Sequence, residues 1–113
     1  MKIIEEKISV RELKEMSEKM FGNLIKAVVD VEKEIMAVDA DLHADQEALL
    51  LDKGSKQDDL WGINLYPELE GDEFIEFDSM INLCPRQKNR SRGVDDPRLQ
   101  KKIIGIVNKL VQK

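Results

Sequence analysis

His43 and Glu47 stand four residues apart, and His43 is the only histidine of the chain. On a helix this spacing puts both side chains on one face, and as an even separation it does the same on a strand. A carboxylate beside an imidazole orients the ring and raises its proton affinity, the relation that a general base or a metal ligand needs. With Asp41 or Asp45 close by, one reading of the group is a divalent-cation site. The competing reading is an exposed helix pair worth roughly a few tenths of a kcal/mol. Neither a His-Glu-x-x-His segment nor paired cysteines occur, so no metal and no cofactor is assigned.

The segment from Arg86 to Gly93 is the most suggestive one, with Arg86, Asn89, Arg90 and Arg92 as candidate ligand-binding residues. A guanidinium offers a planar fork of donors that matches phosphate or carboxylate, and Asn89 and Ser91 add neutral donors. The alternative is a solvated basic loop that pairs with acids of its own chain. Asn64 and Asn82 fall within predicted strands opposite the apolar stripe, as does Tyr66. If those strands pair, amides and a phenol line a polar groove beside the arginine loop, whereas an ordinary wet sheet face has the same pattern. Trp61 reads as a core plug or a stacking platform. Cys84, before Pro85 and near Arg86, has thiolate potential or is a small buried hydrophobe. Phosphate-binding glycine motifs and a Gly-x-Ser-x-Gly elbow are absent.

The elements that must position these residues can be read along the chain. Lys2 to Ile8 reads as a short leading strand, and Ser9 to Glu12 has the capping-box form that starts a helix ended by Gly22. Period-two alternation from Leu24 to Val31 and a second apolar run from Ile35 to Asp39 predict an antiparallel hairpin, without the usual Asn-Gly or Asp-Gly turn. Asp41 to Lys53 is predicted to be a helix, with Asp41 as its cap and an extended segment as the alternative. Trp61 to Tyr66 and Phe74 to Leu83 are predicted to form a second strand pair. Pro85 closes the latter strand, and Asp96-Pro97 opens a final helix with an apolar stripe from Leu99 to Leu110.

A chain of 113 residues fits one domain, 1–113, with one core. A net charge of -5 disfavours non-specific attraction to nucleic acid or anionic membrane. The charge is unevenly spread, since acids between Asp39 and Asp78 face only Lys53 and Lys56, whereas Arg86 to Lys102 is basic. One cysteine, no signal-like opening and no long apolar run predict a cytoplasmic chain without membrane insertion.

Gly54 to Pro67 (GSKQDDLWGINLYP) and Ser79 to Pro97 (SMINLCPRQKNRSRGVDDP) resemble an uncharacterised family of small archaeal and bacterial proteins, a domain of unknown function. The likeness spans nearly the whole chain and includes the His43-Ala44-Asp45 and Asn89-Arg90-Ser91-Arg92 segments. Cys84 departs from the family's pattern, which argues against thiol chemistry. The resemblance implies a shared fold and transfers no activity.

Together these readings predict an α+β domain, a mainly antiparallel sheet of four to five strands with three helices packed mostly on one face. The expected function is a non-catalytic binding or interaction module whose arginine loop holds an anionic small molecule or an acidic protein partner. The alternative is a small hydrolase or phosphate-ester enzyme with His43 as base, Glu47 orienting it, and Arg90 or Arg92 stabilising negative charge. A homodimer built on the last helix is a third reading.

Overall fold

The β-branched alternation after Leu24 builds the centre of the sheet, because period two lets one strand bury a side chain on each face in turn. In the computed structural model, which describes all 113 residues, this strand is β3 (Ile25–Asp30). It pairs antiparallel with β4 (Ile35–Val38) on one side and β5 (Leu60–Leu65) on the other. Outside them lie β1 (Lys2–Ile4), against β4, and β6 (Ile75–Glu76), against β5, giving the order β1-β4-β3-β5-β6. A parallel pair, β2 (Ile8–Ser9) with β7 (Val111–Gln112), joins the two ends of the chain. The predicted leading strand is therefore two short pieces that serve different sheets.

Helices α1 (Val10–Lys19) and α3 (Pro97–Leu110) cover one face, where Leu13, Ile103 and Val107 pack with Ala27, Val29 and Ile63. Helix α2 (His43–Asp52) covers the other, where Leu50 meets Val28, Ala37 and Leu60. The architecture is α+β, with two of the three helices on one face. Helices α1 and α3 start where their caps predict. Ser9 Oγ accepts from Glu12 N at 3.1 Å, and Asp96 Oδ1 accepts from Arg98 N at 2.9 Å.

The β3–β4 turn works without Asn-Gly. Asp30, almost wholly buried, accepts from Glu32 N and Lys33 N at 2.9 Å each through Oδ1, and from Ser55 Oγ at 2.6 Å through Oδ2. Glu34 takes the positive φ, 57°, that the turn needs.

Two predicted boundaries change. Helix α2 starts at His43, not at an Asp41 cap, because its sheet-facing residues are His43, Gln46 and Leu50, and its N-cap position, Leu42, has no side-chain bond. The strand predicted from Phe74 to Leu83 keeps ladder pairing only at Ile75 and Glu76. Beyond it the chain reaches Ser79, whose N–H donates to Arg92 O at 2.8 Å, and coils into a 3-10 turn over Met80–Asn82. The Asn82 side chain there occupies the edge of β5 that a longer β6 would have used. No helix is long and apolar enough to cross a membrane.

Candidate functional site

Asn82 is fully buried, and its amide binds Gly62 as a neighbouring peptide would. Oδ1 accepts from Gly62 N at 2.8 Å, and Nδ2 donates to Gly62 O at 2.9 Å and to Arg92 O at 2.8 Å. Asn89 fastens the basic loop in the same way. Its Nδ2 donates to Asn82 O and Gly93 O at 2.8 Å each, and its Oδ1 accepts from Asp95 N at 2.7 Å. Both asparagines thus spend their polar groups on the backbone, and the loop is shaped, not free. Asp95 adds to this. The Ser91 hydroxyl and the Arg90 N–H hold its carboxyl below the usual carboxylate range.

The loop's arginines separate. Arg86 is ion-paired with Asp58, and Arg90 has no ionic partner. Arg92 donates from Nε to Asp78 Oδ1 at 2.8 Å, which fixes the guanidinium while its two Nη groups make no bond within the chain.

A cleft of about 370 Å³ opens between the start of α2, the end of β5 and the chain after β6. Its polar wall consists of Lys26, His43, Asn64, Asp78, Ser79 and Arg92, and Phe21, Leu24, Leu42, Met80 and Ile81 form the apolar part. Of the residues singled out in the sequence, His43, Asn64 and Arg92 therefore share one cleft. Asn82 and Asn89 support its wall from behind, and Arg90 is not part of it. Glu47 and Arg86 line a smaller cavity with Asp58 and Cys84. Burial pushes the Glu47 carboxyl up. No hydrogen bond or ion pair joins Glu47 to His43 although the two are on one helix. The residue that orients His43 is Ile63, whose carbonyl is 2.7 Å from Nε2. A carbonyl only accepts, so Nε2 carries the hydrogen and Nδ1 of the neutral ring keeps a lone pair.

No motif or spacing marks Lys26, Asp78 or Ser79. Lys26 is the one cation of β3, and it lies opposite Asn64 in the β3–β5 register. Its Nζ stands 5.3 Å from the centre of the Phe21 ring and has no carboxylate partner. Asn64 Nδ2 donates to Glu76 Oε1 at 2.8 Å, an acceptor shared with Tyr66 Oη at 3.0 Å, while Asn64 Oδ1 is buried without any donor. No group of three or more His, Cys, Asp and Glu side chains converges here or elsewhere.

A family model described as "Protein of unknown function (DUF5674)" matches residues 2–110. The chain belongs to that family. No curated protein and no solved structure gives a match.

In this DUF5674 chain, burial lowers the proton affinity of His43 below the ordinary 6.5, and the charges of Lys26 and Arg92 act in the same direction. The Ile63 carbonyl and Asp78 oppose the shift. The unfolded chain takes up the proton near 6.5 while the folded ring resists it, so the unfolded state binds more protons in that window. Stability from this residue is fully present above pH 6.5 and is lost as pH falls from 6.5 toward the lower folded value. Urea unfolding midpoints are expected to drop as pH is lowered from about 7 to about 5, and His43→Gln is expected to flatten that part of the curve. An identical slope in both proteins would contradict the assignment.

Proposed function

We propose that this protein is a binding module that holds a small organic monoanion, a carboxylate, in the His43 cleft. Arg92 carries the reading. Asp78 fixes its Nε and leaves both Nη groups unbonded at the cleft, the bidentate fork that recognises a carboxylate. Lys26, with no acidic partner, supplies a second positive charge. Lys26 and Arg92 stand against Asp78 in the lining and Glu76 directly behind Asn64, a balance that suits a monoanion better than a phosphate dianion. The five large apolar side chains in the same wall favour an organic ligand over an inorganic ion. An acidic protein surface is a poorer fit, because Arg86 already meets an acid of its own chain and the cavity has small-molecule dimensions.

Calorimetric titration with sodium lactate tests this reading. Saturable binding is expected, weakened at least about tenfold by Arg92→Gln, since a charge-assisted hydrogen bond is worth about 1.5 to 3 kcal/mol. Arg90→Gln, in the same loop but off the cleft, is expected to leave the affinity unchanged. Equal losses in both variants, or none in either, would remove Arg92 from the role.

A further inference from the structure

The cleft is lined by acceptors as well as cations, and one of them, on Asn64, is buried with nothing to accept from. Asn64 is more than nine-tenths buried. Its Nδ2 is committed to Glu76, which settles the orientation of the amide and leaves Oδ1 as an acceptor with no donor. His43 adds an acceptor that water can reach, since the Ile63 carbonyl holds its hydrogen on Nε2 and leaves the Nδ1 lone pair free. A buried acceptor left without a donor costs about 1 to 3 kcal/mol, so a ligand whose hydroxyl reaches Asn64 Oδ1 recovers that amount, and one that lacks the hydroxyl does not. Asn64 and His43 line the same wall as Arg92 and Lys26, so the donor belongs on a carbon close to the carboxylate.

We infer that the ligand is a 2-hydroxy carboxylate, with its carboxylate on Arg92 and Lys26, its hydroxyl facing the unpaired acceptors of Asn64 and His43, and a short apolar remainder against Leu24, Leu42 and Met80. This rests on the anion-binding reading above and narrows its ligand class. A neutral hydroxyl is favoured over an ammonium because Lys26 and Arg92 line the same cleft and repel a third cation. A site built to bond a hydroxyl discriminates strongly against the analogue that lacks it, because its own polar groups are then left unpaired.

Propionate and lactate differ only by that hydroxyl. Titrated into the full-length protein, lactate is expected to bind at least about tenfold tighter than propionate. The preference is expected to shrink to near unity in Asn64→Ala, and the comparison in the unmodified protein decides the matter even if that variant is unstable. Equal affinity for the two acids overturns the hydroxyl inference and leaves the carboxylate site standing. Absence of binding by both overturns the carboxylate site and the inference together. Alanine, which replaces the hydroxyl by an ammonium, is expected to bind more weakly than lactate, and tighter binding of alanine overturns the choice of a neutral donor.

Discussion

Replacing Gly62 with alanine is expected to destabilise the protein by about 3 kcal/mol, at the upper end of what overpacking costs. A Cβ on Gly62 would lie 2.5 Å from Ser79 Cβ and 2.6 Å from Ser79 Oγ, with His43 Cδ2 at 3.2 Å. None of these is the end of a flexible side chain. Ser79 is pinned by its N–H bond to Arg92 O, and the His43 ring by Ile63 O. The absence of a side chain at Gly62 is therefore what lets the start of α2 and the chain after β6 close over β5. The test is the double variant. Removing Ser79 Cβ and Oγ with Ser79→Gly eliminates the two shortest contacts, so Gly62→Ala/Ser79→Gly is expected to lose less stability than the sum of the single changes, by more than about 1 kcal/mol. Additive losses in urea unfolding would contradict the packing account.

The second large effect is expected at Asn82. Alanine there removes three hydrogen bonds and leaves Gly62 N and Gly62 O without their partner, while Arg92 O keeps the Ser79 N–H. Buried backbone groups without partners each cost about 1 to 3 kcal/mol, so a total near 3 kcal/mol is a conservative figure. For a domain of this size, a loss of that order lowers the thermal midpoint by more than about 10 °C. Asn82→Asp keeps the acceptor for Gly62 N but loses both donors, and it is expected to fare little better than alanine. A midpoint within about 2 °C of the parent protein in either variant would show that water replaces the amide without cost.

These two residues also mark where the sequence stops being legible. The caps at Ser9 and Asp96 and the alternation of β3 depend on neighbours within a few positions, so spacing alone reveals them. Asn82 acts on Gly62, twenty residues away, and its effect is to end a strand that the alternation of Ile75, Phe77, Ile81 and Leu83 predicts to continue. Nothing within the segment announces that a side-chain amide will take over the edge of β5. The placement of α2 is a similar case. Its sheet-facing side carries His43 and Gln46, which bond to Ile63 O and Lys26 O, so an apolar periodicity gives no hint that it packs on the second face.

The candidate site shows the same division. His43, Asn64 and Arg92 stand out by residue type. The pairing of His43 with Glu47 follows from spacing alone, yet position 43 is turned toward the sheet and held by a backbone carbonyl, while Glu47 faces the smaller cavity with Arg86. Lys26 and Asp78 enter the cleft only through the β3–β5 register and the short β6, which are tertiary facts. The separation of Arg90 from Arg92 has the same origin, because Asn89 and Asp95 fold the loop so that two arginines two residues apart have different neighbours.

Because the chain has a single histidine, its imidazole is a solitary reporter inside the proposed cleft. Two-dimensional NMR of the His43 ring during addition of sodium lactate at constant ionic strength and pH is the most direct measurement. A saturable displacement of the ring resonances, moved to at least about tenfold higher lactate in Arg92→Gln, is the predicted result. Ring resonances that stay in place while lactate is raised to high concentration would contradict a carboxylate site at His43.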